Sequence, residues 1–197
     1  MSLLIFLLIG CRNHEDILSL DIPADLFSEG DLVFRKGISL SSQMVLMGDQ
    51  EGAYSHVGIL IRDSSGKWEV IHAVPEEAVE TGGIEVMKRE PLTRFWQSDR
   101  AVAGAVVSYP MSDSIRALII KKSEEIYLRR LLFDQAYNLS DSTQMYCTEL
   151  VVFIYHSVGI DLTEGRSHSI PGFRKVAIFP SDILRNERLE NVYHFVR

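Results

Sequence analysis

The sequence predicts an α+β fold, with one antiparallel sheet packed against helices. Two observations carry this. Between Gly30 and Ser108 short β-branched runs alternate with dense turn signals, which is the pattern of sequential strands rather than of βαβ units. From Ser112 onward the apolar spacing becomes helical, with Ile115, Leu118, Ile119 and Ile126 on one side and charges between them. The composition, 46% hydrophobic and 24% charged over 197 residues, supports one ordinary core.

The elements follow in order. Gly30-Asp31 makes a turn into a short strand at Leu32 to Arg35, and Ser39 to Met47 reads as a helix begun by one of its serines. Ser55 to Ile61 is a strand, Asp63-Ser64-Ser65-Gly66-Lys67 is a turn, and Trp68 to Val74 is a second strand stopped by Pro75; together they form a hairpin. Further strands are expected at Gly83 to Met87 and at Ala101 to Ser108, giving a meandering sheet. Ser112 or Ser114 caps the long helix that follows. Cys147 opens the next one, whose apolar run Val151 to Tyr155 stops at Gly159. Pro180 to Leu184 reads as a helical turn and Asn191 to Val196 as a terminal strand.

The first ten residues, Met1 to Gly10, are almost wholly apolar and end at Cys11. This is far short of the roughly 20 residues that span a bilayer. The segment reads as an export leader, although no Lys or Arg precedes its apolar stretch. Leu8-Ile9-Gly10-Cys11 resembles the lipobox of bacterial lipoproteins, which implies lipidation at Cys11 and a membrane anchor facing the cell envelope. On this reading residues 11–22 are a tether and residues 23–197 a single folded domain.

A formal net charge of −7 and a pI near 5.4 leave no basic footprint, so a nucleic-acid partner is not expected. Zinc ligands usually come in close pairs such as C-x-x-C or H-x-x-x-H, and neither surrounds Cys147; no metal and no cofactor is expected.

The chain has two cysteines, and with Cys11 at the end of a leader, Cys147 has no disulfide partner. An unpaired thiol in an exported protein has two readings: a small buried hydrophobe, or a nucleophile whose thiolate is favoured by the helix N-terminus, with a lowered pKa. The hairpin bears on the choice. A three-residue turn centred on Ser65 would set His72 opposite Gly58, one diagonal step from His56 on the same face, whereas a turn shifted by half a residue would put the two on opposite faces. A thiol nucleophile needs a base, and the base needs an orienting partner. Cys147, His56 and His72 suit those roles in turn. The backbone N–H of Cys147 is the first candidate oxyanion donor, and Tyr54 and Gln144 are the side chains considered for the second. Glu149 reads as a first-turn helix carboxylate, and the segment from Glu76 to Gly83 as a possible lid.

Gly30-Asp31-Leu32-Val33-Phe34, Ser55-His56-Val57-Gly58-Ile59, Val70-Ile71-His72-Ala73 and Tyr146-Cys147-Thr148-Glu149-Leu150-Val151 resemble, in order, the motifs of the YaeF/YiiX family of permuted papain-like amidases. Phe133-Asp134-Gln135-Ala136-Tyr137 is similar to the family's aromatic segment before the cysteine. The resemblance implies a circularly permuted papain-like fold, with the histidine strand before the cysteine helix. It also implies Cys147 as nucleophile, His56 as general base, and His72 where the family often has a glutamate.

The expected activity is therefore that of a cysteine peptidase or amidase acting on amides of cell-envelope peptides, including peptidoglycan fragments, through an acyl-enzyme. The family's acyltransferase kin leave a lipid acyltransferase or lipase as the alternative, and a relative that binds without catalysis as another.

Overall fold

The computed structural model describes residues 21–50, 52–75, 87–135, 137, 139, 143–169 and 176–197. The leader with Cys11, most of the tether, the expected lid at Glu76 to Gly83 and most of the expected strand at Gly83 to Met87 lie outside the described residues. In chain order the elements are β1 (Leu32–Gly37), α1 (Leu40–Gly48), β2 (His56–Arg62), β3 (Trp68–His72), β4 (Lys88–Pro91), α2 (Leu92–Phe95), β5 (Ala101–Ser108) and α3 (Asp113–Leu128). Then come β6 (Leu132–Phe133), β7 (Gln144–Met145), α4 (Cys147–His156), β8 (His168–Ser169), β9 (Val176–Ala177), α5 (Pro180–Leu184) and β10 (Glu190–Val196).

Six strands form the main sheet in the order β10-β5-β1-β2-β3-β4, with antiparallel neighbours throughout. The meander holds from β1 to β4 and then breaks, because β5 returns to the far side of β1. Its composition explains the return. Ala101–Ser108 is buried along most of its length, on both faces, and such a strand is stable only between two partners. β4, by contrast, is Lys-Arg-Glu-Pro, and charges with a proline suit a sheet edge.

Alternation along each strand divides the core between two faces. Leu32, Phe34, Val57, Ile59, Ile71 and Val107 point to the face covered by α3 and α4, where they meet Ile119, Ile126, Leu150, Val151 and Ile154. Val33, Leu60, Val70 and Val106 point to the other, under Leu92, Phe95 and Trp96. α3 starts where the sequence placed it, with Ser112 Oγ accepting the N–H of Ile115. Tyr155 of α4 is fully buried and donates its hydroxyl to the Gly30 carbonyl, which ties the cysteine helix to the turn before β1.

Of the two registers the turn residues allow, β2–β3 adopts the one that puts both histidines on one face: Ile59 pairs with Ile71 and Leu60 with Val70, so Gly58 faces His72. Gly58 is a close-approach glycine. A Cβ there would lie 2.5 Å from Val70 Cγ1, 2.9 Å from the Ile71 carbonyl oxygen and 3.0 Å from His72 Cβ. Overpacking of this kind typically costs about 1–3 kcal/mol. Gly58→Ala is therefore expected to lower the unfolding free energy by about that amount in urea titrations, and to displace the His72 ring. An unchanged midpoint would contradict the packing described.

Candidate active site

Three strands bring the polar groups together by the same diagonal step. On β2 and β3, the register that sets Gly58 opposite His72 puts His56 one diagonal away from it. On β3 and β4, Val70 pairs with Glu90 and His72 with Lys88, so Glu90 is one diagonal beyond His72 on the same face. Diagonal neighbours on a sheet face are within reach of long side chains. His56 Nε2 lies 2.8 Å from His72 Nδ1, and His72 Nε2 lies 3.1 Å from Glu90 Oε1. All three side chains are substantially buried.

Phe95 of α2 fixes the ring planes. Its centroid is 5.6 Å from that of His56 and 5.2 Å from that of His72, the second contact edge-to-face. Arg35, beside His56 in the β1–β2 register, is 4% exposed. Its Cζ stands 4.7 Å from the Phe95 centroid, its Nη1 donates to the Phe95 carbonyl at 3.2 Å, and it is 4.0 Å from Glu90 Oε1. Arg100 Nη1 reaches Glu90 Oε2 at 3.1 Å. Burial would raise the Glu90 pKa, but the bond to His72 and the charges around it win and bring it down to about 2. Glu90 is thus a carboxylate, an acceptor only.

Cys147 comes from the opposite face, at the first position of α4. The two groups meet where β2 begins: the Cys147 sulfur accepts the backbone N–H of Val57, the residue after His56, and Cys147 and His56 line one cleft. The N–H groups of Cys147 and Thr148 also favour a negative sulfur. Tyr146 N–H donates to Glu149 Oε2 at 3.3 Å, so Glu149 caps its own helix, as the sequence indicates. The residues on either side of the cysteine hold the facing wall. The Ile178 N–H donates to Tyr146 Oη at 3.0 Å, and Thr148 Oγ1 donates to the Ile178 carbonyl at 2.6 Å.

The protonation states correct one expectation. Burial outweighs the helix N-terminus and pushes the Cys147 thiol up to about 11, rather than down. Burial, together with the Arg35 charge, also holds His56 well below its usual value. Both shifts favour the uncharged forms, a thiol and a neutral imidazole, over an ion pair.

The structure sets His56 beside His72 and lines the cleft with His56 and Cys147. Tyr54 and Gln144, the side chains considered for the oxyanion, lie outside that lining. Tyr54 stacks 5.8 Å from Phe34 and lines a different cavity, with Leu184 and Leu189. Gln144 pairs with Leu132 in the small β6–β7 ladder and does not line the cleft. Gln135 and Tyr137, from the aromatic segment, are the side chains that do. The Tyr137 hydroxyl is pushed up to about 12 by burial and by the neighbouring Cys147 sulfur. Glu90 and Arg35 were not singled out. The available signal for Glu90 was a carboxylate in the strand after the second histidine, but that strand starts at Lys88, just past Met87, where the expected one ended.

Among the described residues, no group of three or more His, Cys, Asp or Glu side chains is placed to hold a metal ion. No curated protein matches the chain. A crystal structure of metalloprotein yiiX from Escherichia coli O157:H7 is similar to it in fold, with a TM-score of 0.69 over 86% of this chain and 98% of that one, at 16% identity. The family model for permuted papain-like amidase enzymes of the YaeF/YiiX type matches residues 27–192. With the histidine strand ahead of the cysteine helix and the family model matched over that span, the chain belongs to the YaeF/YiiX (C92) family of permuted papain-like amidases.

Proposed function

We propose that this protein is a cysteine amidase that opens an amide of the cell envelope through an acyl-enzyme on Cys147. The observation that carries the reading is the buried series Glu90, His72, His56, which ends in the cleft that Cys147 lines.

Hydrogen-bond logic gives the series a direction. Ionised Glu90 can only accept, so the proton of a neutral His72 sits on Nε2, facing it. His72 Nδ1 is then an acceptor, and His56 must donate its Nε2–H to it. That leaves the lone pair of His56 on Nδ1, available as a base. Glu90 thereby supplies the carboxylate that the family often has on the preceding strand, displaced outward by one strand with His72 as the intermediary.

The chemistry follows. His56 Nδ1 takes the thiol proton as Cys147 Sγ bonds to the amide carbon. The oxyanion faces the backbone N–H of Cys147. The C–N bond breaks as His56 returns the proton to the leaving amine. Water then gives one proton to His56 and its oxygen to the thioester carbon, and the acid leaves as the thiol re-forms. Export and anchoring through lipidated Cys11 are part of the proposal; they are supported by the apolar leader and its lipobox-like end. An envelope peptide as the source of the amide is supported by that location and by kinship.

Incubation with envelope fractions should give an acyl adduct on Cys147 by intact mass spectrometry, and Cys147→Ala should abolish turnover; turnover that survives this change would sink the reading. Glu90→Gln should lower kcat by on the order of 10²-fold, less than the ~10⁴-fold lost when a carboxylate in direct contact with the imidazole is removed. The pH profile has a set sign. The base must be neutral and its pKa is depressed, so kcat/KM should hold below pH 6.5 before its acid limb appears. Alkylation of the resting thiol by iodoacetamide should be slower at pH 7 than for a free cysteine and should climb toward pH 11.

A further inference from the structure

Arg35 brings a permanent charge into the layer of the sheet that carries the base. It is the direct partner of His56 across the β1–β2 ladder and is 4% exposed. Among the described residues lining the cleft it is the only one with a fixed charge. A guanidinium keeps its proton at any working pH, and taking it out of water is costly unless its surroundings compensate. Phe95 does so twice, with its ring 4.7 Å from the guanidinium carbon and its carbonyl accepting from Nη1 at 3.2 Å.

Anchoring Glu90 does not account for this position. Arg100 already reaches both Glu90 oxygens, at 3.3 and 3.1 Å, and His72 Nε2 lies 3.1 Å from Oε1. Arg35 stands 4.0 Å from that carboxylate, beyond a hydrogen bond. Its charge bears instead on the base beside it. The charged and titratable groups that face His56 are Arg35 from β1, His72 from β3, Lys88 from β4 and Cys147 from α4, with Glu90 of β4 behind His72; α2 contributes the Phe95 ring. Of the charges that disfavour the imidazolium, Arg35 is the largest, and the same cation favours a negative sulfur at Cys147.

We propose that Arg35 is a positioning residue for the reaction: a buried cation on the strand beside the base that keeps His56 unprotonated, and so able to accept the thiol proton, in mildly acidic surroundings. The inference rests on the reading of His56 as base and Cys147 as nucleophile. Two strands then act on His56 in opposite senses. Glu90, through His72, supports the imidazolium once it has formed, and Arg35 opposes its forming from solvent protons. The proton that reaches His56 is the one that leaves Cys147.

The test uses the purified full chain and two neutral variants. Arg35→Gln removes the charge and keeps a donor for the Phe95 carbonyl; Arg35→Met removes the charge and keeps the packing, and stands in where the first does not fold. Titration of the His56 ring by ¹H–¹⁵N correlation needs no turnover. Its midpoint should move to higher pH in the variant and stay below 6.5, because burial persists. Iodoacetamide should alkylate Cys147 more slowly at pH 9 than in the parent protein, because the thiol loses a cation that favours its anion. The two signs together separate loss of charge from loosening of the core. Burial is the main cause of both shifts, so admitted water would raise the His56 midpoint but speed the alkylation. The acid limb of turnover on envelope fractions should move upward with the His56 midpoint. A midpoint that stays or falls, or a faster alkylation, would overturn the proposal and leave the amidase reading standing. A limb that ignores the His56 shift would overturn it as well, and turnover that survives Cys147→Ala would sink both.

Discussion

The hydrogen bond between His56 and His72 is the constraint on which the site depends. It is buried, it joins two strands, and it exists only because the β2–β3 register sets a glycine opposite His72. A shift of one residue would turn one histidine to the other face of the sheet. A side chain at position 58 would crowd both Val70 and His72. Sheet register, rather than loop conformation, therefore positions the base, and the strands that set it are packed on both faces.

Burial then decides the electrostatics. The same enclosure that raises the Cys147 thiol lowers the His56 imidazolium, so neither group is charged at rest. The favourable charge in the neighbourhood lies further out, at Glu90, where Arg35 and Arg100 stabilise a carboxylate on the edge strand β4. A carboxylate in direct contact with His56 would favour the imidazolium more strongly; His72 transmits a weaker version of that effect. In the proposed mechanism the imidazolium forms only as the thiol proton arrives, and the uncharged pair suits general-base attack better than a standing thiolate.

Much of this was legible in the residues. The hairpin itself followed from its turn residues, which left two registers open, and the cysteine helix from an apolar run ending at Gly159. What was not legible depended on long-range packing. Lys88-Arg89-Glu90-Pro91 has no apolar alternation and becomes a strand only by pairing with β3, so its carboxylate could not be placed from local pattern. The break in the meander at β5 needed the knowledge that a strand apolar on both faces seeks the sheet interior. Tyr54 sits two residues before His56, close in sequence, yet its ring packs on the α3–α4 side against Phe34 while His56 turns to Phe95. The thiol pKa was misjudged because the helix N-terminus is visible in a sequence and the depth of burial is not.

The account's central claim is that Glu90 acts through His72 to fix the tautomer of His56. The direct measurement is the ¹⁵N chemical-shift pattern of the His56 ring, from long-range ¹H–¹⁵N correlation of the resting enzyme near pH 7. The account predicts a neutral ring protonated at Nε2, with an unprotonated Nδ1, and a loss of that single tautomer in Glu90→Gln. A ring protonated at Nδ1, or an imidazolium at neutral pH, would contradict it.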